Sequence, residues 1–241
     1  MDAFKKWRAK SGQYGVIHTA CALAGRRSAA FWRICGPLIT SRYREKWFRK
    51  NSPRVINLGG GSNTGAQWLT ADTDPRADVY IDMTRRLPFP NDSLDGIFLE
   101  EAIEHIPAAA ARILLSECHR CLKSGKPLRL STPDLRWFVA LLDSDWVPAG
   151  ILLEMARHQL GADYTASAEL TLAAVNSVFK EHGHVFIWDF NSLAGALARA
   201  GFSKISRSSY RDERSHLGCY DSHADRFSHP AEMSMYIEAI K

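Results

Sequence analysis

Apolar positions in the middle of the chain fall into short runs, each closed by glycine, proline or aspartate, and these alternate with stretches of helical periodicity. Val55–Leu58 is the first such run and stops at Gly59, Gly60 and Gly61. Leu69–Asp72 predicts a second strand. Val79–Asp82 predicts a third, after the turn-like Thr73-Asp74-Pro75-Arg76. The proline-rich loop from Leu87 to Ser93 leads to a fourth strand at Gly96–Leu99. Pro107 suits the first turn of a helix that runs to about Leu122 and is ended by Ser124-Gly125. Leu128–Ser131 reads as a fifth strand, stopped by Thr132-Pro133-Asp134. Strands that alternate with helices in this way predict a parallel α/β sheet.

Beyond the fifth strand the pattern changes. Residues 135–188 hold no clear strand apart from Val185–Trp188, and read as two or three inserted helices forming a lid or substrate wall. Asn191 is placed to cap a helix through Arg199, which Gly201 stops; Phe202–Ser208 then begins a strand. Alternation over Met233–Ile240 predicts the closing strand. Ten residues separate Leu58 from Leu69, whereas parallel neighbours need a crossover of about a dozen or more, usually helical. The first crossover is therefore a loop with at most one helical turn. One sheet face is left partly bare, and the aromatic N-terminal helices are its expected cover.

Composition adds an asymmetry. A chain of 241 residues with 46% apolar content can bury one substantial core. The expected organisation is a basic, aromatic-rich helical extension over residues 1–50 and one domain over 51–241. Residues 1–50 carry a net charge of +10 and the rest a net −5, so the formal +5 belongs to the extension. Phe4, Trp7, Tyr14, Phe31, Trp32, Tyr43, Trp47 and Phe48 are interleaved with these basic residues. Helices that lay aromatics on the core and turn arginines to water explain the mixture. A peripheral membrane contact, nucleic acid or a targeting peptide stay open as alternatives. No apolar run is long enough to span a bilayer. The five scattered cysteines fit a reducing, cytoplasmic compartment. Cys118 and Cys121 form a C-x-x-C, but they share a helix face with leucines and read as small core residues, so no metal site is expected.

The triple glycine and the acid eleven positions after it carry the candidate chemistry. Glycines at a strand end let a ligand approach the backbone, and an acid closing the next strand can accept from ribose hydroxyls. A dinucleotide fingerprint needs G-x-G-x-x-G and an acid about 20 residues on; Asn63 and Gly65 break that pattern and Asp72 comes too early. The expected ligand is a nucleoside cofactor without phosphate.

Read in order, the chain gives strand–GGG, strand–Asp72, strand–Asp82, then LPFPNDSLDGIFLEEAIEHI and LKSGKPLRLSTPDL. This resembles class I S-adenosylmethionine-dependent methyltransferases (type 11-like), in the small group with a W-x-x-x-D second strand, an L-P-F-P loop and P-D-L after strand five. The similarity covers roughly residues 54–205. It implies a Rossmann-like seven-stranded α/β sheet, mostly parallel with an antiparallel last strand. It also implies S-adenosylmethionine as the cofactor. By this resemblance Gly59, Gly60 and Gly61 lie against the methionyl and ribose parts. Asp72 takes the ribose hydroxyls, with Asp74 as a weaker rival. Asp82 accepts from the adenine amino group, the Met83 backbone and side chain meet the base, and Glu101 lines the pocket near the sulfonium. Two positions depart from the family. Asn57 stands where an acidic residue is usual, and Gly60 where a small cysteine or similar residue is common.

Methyl transfer needs alignment in a water-poor site and, for a hydroxyl acceptor, a base. Candidates on the loops above the sheet are Glu101, His105 and Asp134, and also Glu104, His182 and His184. His182 and His184, two apart, could form a metal pair but read better as loop histidines. Arg211, Arg214, His216, His223, Arg226 and His229 make a loop able to recognise an anionic acceptor. A small-molecule or glycan acceptor, through hydroxyl or carboxyl, is expected in preference to nucleic acid, since the acidic domain lacks a basic groove. The alternative is a degenerate relative that keeps the fold and only binds.

Overall fold

The computed structural model describes residues 19–20, 23–24, 28–143, 151–152, 167–227 and 230–241. Phe4, Trp7, Tyr14, Cys21, His229 and most of 144–166 lie outside them. Seven strands form one sheet: β1 (Val55–Leu58), β2 (Leu69–Asp72), β3 (Val79–Tyr80), β4 (Gly96–Glu100), β5 (Pro127–Pro133), β6 (Ser203–Ser208) and β7 (Ser234–Ile240). Their order is β3-β2-β1-β4-β5-β7-β6. β1 to β5 are parallel, and β7 runs antiparallel to both β5 and β6. The described helices are α1 (Ala29–Lys50), α2 (Ala108–Cys121), α3 (Leu135–Ala140), α4 (Ser167–Lys180), α5 (Phe190–Arg199) and α6 (His223–Phe227). None is long and apolar enough to cross a membrane.

Alternation along the strands separates two sheet faces of different chemistry. Ile56, Leu58, Leu69, Ala71, Ile97, Leu99, Leu128, Leu130, Ile237 and Ala239 pack on Leu114, Leu115 and Cys118 of α2 and on Leu193, Ala196 and Leu197 of α5. This is the main core. Cys118 and Cys121 are buried in it, and burial pushes both thiols up, Cys121 to about 11, as expected of packing residues.

The second face carries Val55, Phe98 and Arg129, and its cover comes from far along the chain. Leu217 packs on Val55 and Phe98. Trp68, Phe98 and Tyr220 form an aromatic cluster with centroids 5.0–5.5 Å apart. Gly96 admits this cover, because a Cβ there would stand 3.0 Å from Leu217 Cδ2. Arg129, 1% exposed, donates Nε to Asp221 Oδ1 at 2.8 Å, Nη1 to the Ser208 hydroxyl at 2.9 Å and Nη2 to both Asp221 Oδ2 and the Ser209 carbonyl. The excursion between β6 and β7 is thus clamped to the centre of the sheet.

The short first crossover is a loop, as its length required, and α1 packs chiefly on the sheet edge. Trp32 meets the Tyr80 ring edge-on at 6.2 Å. Gly36 lies under that ring, where a Cβ would come within 2.8 Å of it. Thr40 accepts the Tyr80 N–H at 3.0 Å and donates to the Gly36 carbonyl. This occupies an edge amide that would otherwise be open for pairing. Further along α1, Trp47 joins the main core and Phe48 stacks on Phe89.

Several element ends differ from expectation. β3 stops at Tyr80, and Asp82 lies in the turn that follows, accepting from the Thr84 amide and hydroxyl. Val185–Trp188 joins no ladder; the Val185 and Phe186 amides both donate to the Glu104 carbonyl instead. The cap of α5 is Asp189 in a reciprocal capping box with Ser192, displacing Asn191 into the first turn.

Two stability experiments follow. Thr40→Val should destabilise by about 1–2 kcal/mol in urea unfolding, since it leaves the Tyr80 N–H unpaired without changing volume. Arg129→Met should cost about 3–5 kcal/mol by stranding the Asp221 carboxylate, and adding Asp221→Leu should recover at least half of the loss.

Candidate functional site

The glycine loop leaves β1 with two residues in the left-handed region, Gly59 at φ +72° and Gly61 at φ +53°, which favours glycine. Gly59 also passes so close to the β4–α2 connection that a Cβ would lie 2.5 Å from that of Ala102. Gly60 is required for a different reason. A Cβ there would fall 2.3 Å from Asn57 Nδ2. Asn57 is fully buried beneath the loop, its Nδ2 3.4 Å from the Asn63 carbonyl and its Oδ1 without a partner. Gly60 is thus fitted to its neighbour: the amide at 57 fills the space that a side chain at 60 would take.

Asp72, at the end of β2, holds this loop. Its Oδ2 accepts from the Gly61 amide at 2.8 Å and its Oδ1 from the Asp74 amide at 2.9 Å. Asp74 is paired with Arg76. Met83 closes the other side of the loop, its Cε 3.4 Å from where a Gly59 Cβ would be. Asn57, Gly59, Gly60, Gly61, Asp72 and Met83 are thus gathered at one end of the sheet. Asp82 stands a turn further out.

Four acidic or basic groups crowd the end of β4. Glu100, 7% exposed, takes the amides of Ser222 and His223, the Ser222 hydroxyl and Arg226 Nη2. It caps α6 and draws it over the glycine loop, where Asn63 Nδ2 also reaches the Ser222 hydroxyl. Glu101 follows at φ +50°, a region non-glycine residues enter at a cost that functional sites often carry. Its carboxyl is pushed up to about 7, chiefly by burial, and one oxygen has no partner. Glu104 is completely buried; burial, then the charge of Glu101, raises it well above the usual carboxylate range. His105 turns Nδ1 to the Gly183 carbonyl at 3.3 Å.

Asp134 is otherwise engaged. Its Oδ1 accepts from the Arg136 amide as the cap of α3, and its Oδ2 pairs with Arg207 at 3.0 Å. In the late loop, Arg211 pairs with Asp225 and Arg214 with Asp212.

A cavity of about 780 Å³ runs from the glycine loop to the histidines. One end is walled by Asn57, Gly59, Gly60, Gly61 and Glu100, the other by Phe138, Ile151, Val178, His105, His182 and His184, with Glu101 and Glu104 between. His223 and Arg226 also line it, while Asp72, Asp82, Met83 and Asp134 do not.

A family model described as "Methyltransferase domain" matches residues 58–129, from the end of β1 into β5. The strand order with its antiparallel seventh strand agrees. The fold is the Rossmann-like methyltransferase fold. Both findings are consistent with a class I S-adenosylmethionine-dependent methyltransferase, as the sequence resemblance implied. Among solved structures the chain is similar to a methyltransferase of Archaeoglobus fulgidus at 15% identity, covering 85% of this chain and 93% of that one, with a TM-score of 0.48. A methyltransferase of Thermotoga maritima gives 16%, 87%, 99% and 0.47 in the same order. A chain of the complex between the Haloferax volcanii Trm112 methyltransferase activator and a methyltransferase gives 17%, 92%, 96% and 0.44. No curated protein matches this chain.

Sequence reasoning missed Glu100 and the Arg129–Asp221 clamp. The signals were present: a Glu-Glu doublet at a strand end, and an arginine inside the otherwise apolar Leu128–Leu130. The pairing at the loop is open to a direct check. Gly60→Ala should destabilise by about 1–3 kcal/mol. The double variant with Asn57→Ala should lose less than the two single changes together, read by urea unfolding as a double-mutant cycle.

Proposed function

We propose that this protein is a methyltransferase that binds S-adenosylmethionine at the glycine loop and methylates a small-molecule or glycan acceptor, through a hydroxyl or carboxyl, in the adjoining cavity. The observation that carries the reading is the loop itself. Gly59 and Gly61 keep their backbone bare at the carboxyl end of the sheet, and Asp72 holds Gly61 in place beside a cavity of about 780 Å³. The donor set fits the cofactor. Asn57 Oδ1 is a buried acceptor without a partner, suited to an ammonium group. Asp72 retains lone pairs beyond its two amide contacts for ribose hydroxyls. Met83 is placed to pack on a base, and Asp82 stands beyond it. Bound there, S-adenosylmethionine would supply an electrophilic methyl group.

The chain's own part is to orient the acceptor, exclude water and accept a proton. Of the three residues expected to do chemistry, Glu101 is the best placed. It lines the cavity, has a free oxygen, and its carboxyl is raised to about 7. Asp134 has both oxygens engaged and serves the architecture.

Calorimetry with S-adenosylhomocysteine tests the reading. The wild-type chain should bind with a Kd in the micromolar range, and Asp72→Ala should weaken binding by at least about tenfold. Absence of binding by the wild type would overturn this function and favour a non-catalytic relative that keeps the fold.

A further inference from the structure

Glu104, His105 and His184 stand together on the wall of the cavity. His105 places Nδ1 3.3 Å from the Gly183 carbonyl, and His184 places Nδ1 2.6 Å from the Val178 carbonyl. A carbonyl only accepts, so in each neutral ring Nδ1 carries the proton and Nε2 keeps its lone pair. Glu104, with no exposed surface, accepts the Thr132 hydroxyl at Oε2 and leaves Oε1 buried without a partner, 3.8 Å from His105 Nε2. One ligand atom from each of Glu104, His105 and His184 lies within 4.8 Å of the others.

We propose that Glu104, His105 and His184 bind a divalent transition-metal ion. Two imidazoles whose other nitrogens are fixed on backbone carbonyls, plus one buried carboxylate, make a donor set to which zinc is well suited. Ligand atoms about 2.1 Å from such an ion stand roughly 3.3 Å apart, so the three must draw together by up to about 1.5 Å. The chain permits this: His184 lies outside any helix or strand, next to Gly183 at φ +77°. The Val185 and Phe186 amides on the Glu104 carbonyl bring that segment to the turn carrying Glu104 and His105. His182, whose ring centroid lies 5.7 Å from that of His184, is not in the set. The open coordination positions face the cavity, where an oxygen of the acceptor could bind. That role rests on the methyltransferase reading; the ion itself does not.

The test uses the full chain freed of metal with a chelator. Zn²⁺ and Mn²⁺ are titrated separately by calorimetry, and S-adenosylhomocysteine in a third experiment. One equivalent of Zn²⁺ per chain is expected. Affinity should fall by more than about 100-fold in His184→Ala and in Glu104→Gln, beyond what loss of a supporting partner costs. His182→Ala should bind zinc as the wild type does. X-ray absorption of the wild-type zinc complex should show two imidazole nitrogens with oxygens completing the shell, which keeps the test valid if a variant does not fold. Failure of the wild type to bind either ion would overturn the site, with a protonated Glu104 bonding His105 instead. A zinc shell lacking two imidazoles would also overturn it. Either result leaves the S-adenosylhomocysteine titration to judge the methyltransferase reading separately.

Discussion

The buried guanidinium of Arg129 is the constraint on which the β6–β7 excursion, and through it the cover of the glycine loop, depends. A charge taken out of water needs a full set of partners, and Arg129 obtains them from Asp221, Ser208 and Ser209. The pair adds less net stability than an apolar contact of the same size could, but it leaves the β6–β7 excursion one place to lie. With Asp221 fixed, Ser222 and His223 fall within reach of Glu100, and Tyr220 falls on Trp68 and Phe98. Residues that bear on the glycine loop are therefore positioned by an ion pair at the middle of the sheet, not by local sequence.

The glycine loop shows the same dependence at shorter range. Without a crossover helix behind it, the loop rests on side chains: Asn57 beneath, Asp72 beside, Ala102 and Met83 opposite. The departures at 57 and 60 look like two weakened positions when read one by one. In the fold they touch, and a side chain cannot be added at 60 without displacing the amide at 57.

The sheet was legible in the sequence because its strands are short, apolar and punctuated by glycine, proline and aspartate. Their mostly parallel arrangement with an antiparallel last strand followed from the resemblance, and the loop character of the first crossover followed from chain length alone. The gathering of Asn57, the glycines and Asp72 was legible because they stand at strand ends, whereas Met83, in the turn beyond β3, followed from the resemblance. What escaped was set by pairing over long distances. Arg129 finds Asp221 92 residues away, and Glu100 finds Ser222 122 residues away. Periodicity has no term for such contacts. Asp134 was misleading because strand-end position predicts proximity to a site, whereas the free amide of Arg136 and the charge of Arg207 decided what its carboxylate does. Val185–Trp188 had a strand's composition but met only the Glu104 carbonyl, with no free sheet edge beside it.

The clothing of the second sheet face by a distant segment has a consequence for how the molecule assembles. Asn63, in the loop that follows the first strand, meets Ser222 across 159 residues of chain. Closing so long a loop costs entropy before any contact rewards it, and topologies of this kind fold slowly. The main core, built with α2 at short range, can form first. Until the excursion docks, Trp68 and Phe98 stand open to water, and a nascent or partly folded chain presents a greasy, aggregation-prone flank at the very place where its ligand cradle will later be completed.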